Sequence, residues 1–175
     1  MKTSVALVGF MGVGKTVVGM ALAQRLGKEF IELDALIERR AGKTIPEIFR
    51  QDGEIGFREI EIEVIKSVAD RENTVIACGG GVVLNKINID RLKRECVIVY
   101  LKASPEMILV RTSGDKNERP LLTSADRAEQ IKKLLRFRQP FYERATDIKI
   151  DTSNLSAESV AEKIVKKLGA YESNH

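Results

Sequence analysis

Residues 9–16 read Gly-Phe-Met-Gly-Val-Gly-Lys-Thr, directly after the apolar run Val5–Val8 and ahead of a segment whose Val18, Ala21, Leu22 and Leu26 fall on one helical face. Few strings restrict a chain so strongly. The glycines allow a backbone curl that turns several N–H groups toward one point, and a helix opening behind the curl adds its positive N-terminal end. An anion is the guest such a loop suits. A plain glycine-rich turn with a surface lysine is the alternative, and the strand before and the helix after weigh against it.

The string fits the phosphate-loop pattern G-x-x-x-x-G-K-[ST] in full, which predicts a nucleotide site built from Gly12, Val13, Gly14, Lys15, Thr16 and Val17. Lys15 offers a point charge to the β and γ phosphates of ATP, and the Thr16 hydroxyl can ligate the Mg2+ that bridges them. Elsewhere, short β-branched runs alternate with helical periodicity, the signature of an α/β fold with a parallel sheet covered by helices on both faces. The expected strands are Val5–Val8, Phe30–Leu33, Val75–Cys78, Val97–Leu101 and Ile148–Ile150. Phe57, Ile60, Val64, Ile65 and Val68 form a second apolar helical face; Ser156 should cap a last helix that stops at Gly169. The fold expected is a three-layer P-loop NTPase domain with a five-stranded parallel sheet, spanning 1–175 as one unit. Thr112–Asp126 lacks a core pattern, and an irregular stretch of this length reads as a functional loop, here a mobile lid.

Composition narrows the partners. A formal charge of +4 arises from 29 basic and 25 acidic residues mixed along the chain, with no Trp, three Tyr and six Phe, which is not the basic, aromatic-laced stripe of a nucleic-acid binder. No run is long and apolar enough to span a bilayer, and no signal peptide precedes the first strand, so no membrane partner and a cytoplasmic location are expected. Cys78 and Cys96 lack metal spacing and read as buried reduced thiols. The single histidine is His175, so any general base should be a carboxylate. A GTP-binding switch would carry N-K-x-D; the nearest string, Asn85-Lys86-Ile87-Asn88, ends in Asn. A compact, monomeric kinase of a small molecule remains.

Six strings in order sharpen this: GFMGVGKT at 9–16, ELDALIE at 32–38, DGEIGFREIE at 52–61, GGGVV at 79–83, ERPLL at 118–122 and RFRQPFYERA at 136–145. Together they resemble the shikimate kinases, whose fold is like that of the nucleoside monophosphate kinases, from the first strand to the last helix. The resemblance implies transfer of a phosphoryl group from ATP to the 3-hydroxyl of shikimate, a step of aromatic amino acid biosynthesis. It implies carboxylate binding by Arg58 and Arg138, whose planar forks suit that group. It also implies that Asp34 holds ring hydroxyls and serves as the base, that the loop Gly79, Gly80 and Gly81 touches the acceptor, that Arg119 in the lid reaches the transferring phosphoryl, and that Arg111 stacks on adenine. Asp34 could instead cap the helix beginning there, the glycines could form a plain turn, and Arg119 and Arg111 could be surface residues.

Two positions depart from the family pattern. Glu32 stands where an aspartate is common, which suggests an outer-sphere role toward magnesium through water, and Ala157 stands where a proline is common near adenine. Other acceptors, a sugar acid such as gluconate or a nucleoside monophosphate, also bring anions. A non-enzymatic nucleotide-binding module is the remaining alternative.

Overall fold

The computed structural model describes residues 2–114 and 126–173. Five strands form one parallel sheet: β1 (Ser4–Val8), β2 (Glu29–Glu32), β3 (Thr74–Ala77), β4 (Cys96–Lys102) and β5 (Ile148–Asp151), in the order β2-β3-β1-β4-β5. The seven α-helices of the described residues are α1 (Lys15–Leu26), α2 (Leu33–Ala41), α3 (Ile45–Val68), α4 (Lys86–Glu95), α5 (Pro105–Ser113), α6 (Arg127–Ala145) and α7 (Ala157–Glu172). The α/β class, the five strands and their parallel pairing match the sequence expectation.

Strands β1 and β3 are buried along their whole length, as both-face coverage by helices requires of a parallel sheet. Helix α1 sends Val18, Ala21 and Leu22 inward and packs beside α7, whose Val160, Ala161, Ile164 and Leu168 make the matching stripe. Because β1 has β3 on one side and β4 on the other, the chain reverses its direction of winding there. A crevice therefore opens at the strands' C-terminal ends. Pairing of Leu7 with Ala77 and of Glu32 with Ala77 brings the loops after β1, β2 and β3 to that one edge.

Helix α3 begins at a capping box in which the Thr44 side chain accepts from the Glu47 N–H and Glu47 accepts from the Thr44 N–H, an arrangement of about 1 kcal/mol. It bends at Gly53, whose φ of 69° interrupts the helical geometry, and the Lys43–Asp52 ion pair at 2.8 Å lies beside the bend. Downstream of the bend, Arg58 and Glu61 come to the sheet edge.

Several boundaries differ from the sequence expectation. Leu33 is the first residue of α2 rather than the last of a strand, because the apolar pattern of β2 continues into the buried face of the helix. Cys78 lies just past β3, its N–H still bonded to Leu7 O at 3.0 Å. Gly169 does not stop α7, which continues to Glu172; a lone glycine costs a helix only about 1 kcal/mol. Thr112 and Ser113 belong to α5, and α6 starts at Arg127 with Asp126 as its cap. The rest of the expected lid, with Arg119, lies outside the described residues.

Candidate active site

The loop between β1 and α1 is shaped by glycines where no other residue would serve. Gly12 and Gly14 take φ values of 80° and 97°, and a Cβ on Gly9 would overlap the Leu101 carbonyl oxygen. Gly14 caps α1 without any side-chain hydrogen bond, and no acidic residue occupies the first helical turn. The first N–H groups of α1 have no helical acceptors by construction, so the loop offers donors and a positive helix end to an anion. Lys15 Nζ rests on the loop itself, donating to Gly9 O at 2.7 Å and Phe10 O at 2.9 Å. Thr16 Oγ1 donates to Glu32 Oε1 at 2.8 Å, which ties the opening of α1 to the end of β2.

A second set of contacts supports the loop from behind. Arg111 Nη1 donates to the carbonyls of Gly12 and Val13, both at 3.3 Å, and to Thr152 Oγ1 at 3.2 Å, while its Nη2 donates to Thr152 O at 2.9 Å. Thr152 is buried, and its hydroxyl also donates to Val13 O at 3.0 Å. The edges of the Arg111 guanidinium are thus engaged by backbone, and Arg111 lines the cavity described below. Sequence reasoning missed Thr152; a threonine after the last strand carries no signal of its own.

The charged groups on the other side of the crevice converge on the glycine loop after β3. A Cβ on Gly79 would lie 3.2 Å from both Asp34 Oδ1 and Glu61 Oε2, one on Gly80 would lie 3.2 Å from Arg138 Nη1, and one on Gly81 would overlap the Arg58 guanidinium. Asp34 is the second residue of α2, and Glu32 holds the cap position, so Asp34 is not the helix cap. Its charge nevertheless benefits from the helix N-terminus. Arg58 Nη1 donates to Glu61 Oε1 at 3.0 Å, and its Nη2 to Glu54 Oε1 at 3.2 Å.

Arg138 is 1% exposed, on the buried face of α6 one turn before Tyr142, and its Nε and Nη1 have no hydrogen-bond partner among the described residues. Burying a guanidinium with open donors is costly unless a counter-anion completes it. Its Cζ lies 5.8 Å from the Phe10 ring centroid. Tyr142 donates to Gly80 O and stacks on Tyr100 with ring centroids 5.0 Å apart, fixing the glycine loop against α6. Burial pushes the Tyr142 hydroxyl up well beyond its usual range, so it remains a donor.

Glu61, also unassigned from the sequence, is 0% exposed. Burial, and the Asp34 charge to a smaller degree, push its carboxyl above the ordinary glutamate value, against the opposing pull of Arg58 and Arg138. Its i,i+3 relation to Arg58 was the available signal. Cys78 and Cys96 are buried free thiols pushed upward by burial, Cys96 to about 12.

One cavity of about 970 Å³ joins the two halves, lined on one side by Lys15 and Thr16 and on the other by Asp34, Arg58, Gly80 and Arg138. The family model described as shikimate kinase matches residues 11–169. This chain belongs to the shikimate kinase family. A shikimate kinase from Thermodesulfovibrio yellowstonii is 48% identical over 164 residues, 94% of each chain. A solved shikimate kinase from Acinetobacter baumannii in complex with shikimate superposes with a TM-score of 0.93 at 39% identity, over 97% of this chain and 94% of that one. A gluconokinase from Sinorhizobium meliloti reaches a TM-score of 0.60 at 17% identity, over 99% of this chain and 97% of the other, and shares the fold alone. Membership makes the chain one of a family of P-loop phosphotransferases. Among the described residues no helix is long and apolar enough to cross a membrane.

Proposed function

We propose that the chain transfers the γ-phosphoryl group of ATP to the 3-hydroxyl of shikimate, giving shikimate 3-phosphate and ADP. The observation that carries this reading is the pairing of Arg138, buried with two open donors, with Arg58 in the same cavity as Lys15. Two guanidiniums at one end and the Asp34 carboxylate nearby complement a small molecule with a carboxylate and several hydroxyls. A sugar acid would supply the anion too, yet the match to the shikimate kinase family and to relatives of that name favours the cyclic acid.

Gly12, Val13, Gly14 and the start of α1 hold the phosphates of ATP by backbone N–H groups, with Lys15 shifting from the loop carbonyls to the phosphate oxygens. Thr16 and Glu32 fit a magnesium site in which Thr16 binds the ion directly and Glu32 acts through the Thr16 hydroxyl and through water. The ion, when bound, neutralises charge building on the phosphates. Asp34 orients the attacking hydroxyl and accepts its proton. Arg58 and Arg138 fix the carboxylate, Gly79, Gly80 and Gly81 border the ring, and Arg119 stabilises the transferring group. Arg111 holds the loop by its edges and leaves its planar face for the adenine.

An assay of ADP release with ATP, magnesium and shikimate, gluconate or a nucleoside monophosphate tests the proposal. Turnover with shikimate alone, and a product whose phosphorus couples to the ring proton at position 3, is the expected result. Comparable turnover with gluconate and none with shikimate would refute it.

A further inference from the structure

On the acceptor side of the cavity the carboxylates of Asp34 and Glu61 stand beside the guanidiniums of Arg58 and Arg138. Arg58 and Glu54 come from α3 together with Glu61, Asp34 comes from α2, Arg138 from α6, and the Cys78 thiol lies at the end of β3. Glu54 is exposed, so Asp34 and Glu61 are the acids that stand with Arg58 and Arg138 inside the cavity before any ligand arrives, and Lys15 lines the same cavity. Seating a further carboxylate on Arg58 and Arg138 adds negative charge to a buried cluster, where Coulomb repulsion is screened less than at the surface.

One member of the cluster can relieve this. Glu61 is fully buried; its Oε1 accepts from Arg58, whereas its Oε2 is buried with no hydrogen-bond partner among the described residues. An ionised carboxylate has room for about four donors, so an unserved buried oxygen favours the neutral acid. A Cβ on Gly79 would lie 3.2 Å from this Oε2 and 3.2 Å from Asp34 Oδ1, so a second carboxyl borders the same side of the glycine. Asp34 is less buried than Glu61 and stands in the first turn of α2, a position that favours negative charge. Resting on the acceptor reading above, we propose that Glu61 is the charge-balancing group of the acceptor site: it takes a proton from solvent as a carboxylate ligand seats on Arg58 and Arg138, and returns it when the ligand leaves.

The proton goes to Oε2, while Oε1 continues to accept from Arg58. Total charge in the cluster is then unchanged by binding, since one proton enters with one carboxylate. A neutral ligand of the same shape brings no charge and would draw no proton, so the uptake is specific to a carboxylate ligand. Burial acts in the same direction on the carboxyl of the ligand-free protein, lifting it above the ordinary glutamate range.

Calorimetric titration of the full chain with shikimate, in phosphate, HEPES and Tris at pH 7 and pH 8, tests the idea. The buffer dependence of the enthalpy should report uptake of about half a proton or more per ligand at one or both pH values, with affinity weakening toward alkaline pH, at most by about tenfold per unit. Glu61→Gln should abolish the uptake and make affinity independent of pH, so that it binds more tightly relative to the unmodified protein at pH 8 than at pH 7. Binding with buffer-independent enthalpy at both pH values would overturn the proposal while leaving the acceptor site intact. Persistence of the uptake in Glu61→Gln would assign the proton elsewhere and overturn it as well. Absence of shikimate binding would overturn the acceptor reading itself. Should Glu61→Gln not fold, the buffer series on the unmodified chain still decides whether protons are taken up.

Discussion

The Thr16 hydroxyl donates to Glu32 Oε1 at 2.8 Å, so the longer carboxylate at position 32 reaches the side chain proposed to bind magnesium. The extra methylene relative to aspartate is accommodated without separating the two groups. Glu32→Ala should therefore raise the magnesium concentration needed for half-maximal velocity by about tenfold or more, the cost typical of losing a partner that orients a metal ligand. Titration of the ion at saturating ATP and shikimate checks this, with Glu32→Asp expected to recover much of the loss. An unchanged magnesium requirement in the alanine variant would show that the contact has no bearing on the ion.

Acceptor binding should depend on Arg138 more than on any exposed cation. Arg138→Ala is expected to weaken shikimate binding by about 1.5–3 kcal/mol or more, the range for hydrogen bonds to charged groups, and Arg58→Ala by a similar amount. ATP affinity should stay within a factor of about two, because neither residue belongs to the phosphate loop. Arg138→Lys should not restore binding, since an ammonium lacks the planar fork. Equilibrium binding of each ligand separately provides the comparison.

Gly81 has an ordinary φ of −104°, so alanine is allowed there by backbone geometry; the obstacle is the Arg58 guanidinium, which an added Cβ would overlap. Arg58 is held by Glu54 and Glu61 and can yield only by breaking one of those pairs. Gly81→Ala should then fold normally by circular dichroism yet show a shikimate KM raised about tenfold or more. A normal KM would mean that Arg58 swings aside freely.

The latch formed by Arg111 and Thr152 makes a separate prediction on the nucleotide side. Thr152→Val preserves shape but removes the hydroxyl that serves both Arg111 and the Val13 carbonyl. We expect a several-fold higher KM for ATP with shikimate affinity unaltered, and recovery in Thr152→Ser, from a hydrogen-bond loss of about 1 kcal/mol.

Stability of the ligand-free protein should carry the mark of Glu61. Its carboxyl titrates at the ordinary value in the unfolded chain and higher in the folded one. Between these two points the native state binds more protons than the unfolded state, so this residue's contribution makes stability fall as pH rises through that window and levels off above it. Glu61→Gln should flatten that part of the curve, as read from urea midpoints across pH 5 to pH 8 relative to the unmodified protein.

The sequence made the sheet legible because each strand is a short β-branched run ended by glycine or polar residues, and the phosphate loop is read from its spacing alone. Asp34, Arg58, Gly79–Gly81 and Arg138 could be named from family strings, but their convergence depends on strand order, which no local pattern encodes. Glu61 escaped because it stands in the charged string Arg58-Glu59-Ile60-Glu61, where a carboxylate ordinarily faces water; only the fold reveals that this one faces inward. Thr152 escaped for a related reason, since its partners lie 41 and 139 residues away. The kink at Gly53 was hidden because a glycine within a helical pattern does not announce a bend.

The central position of β1 has a mechanical consequence. Its C-terminal end leads directly to the phosphate loop, β3 on one flank leads to the glycines at 79–81, and β4 on the other packs beside β5, which leads into Thr152. The phosphate loop and the glycine loop therefore hang from adjacent strands, tied to one another by the backbone hydrogen bonds of the β1–β3 ladder. That shared register fixes how far apart the two loops stand, and leaves the fine alignment of the proposed reactants to the side chains that bridge the crevice.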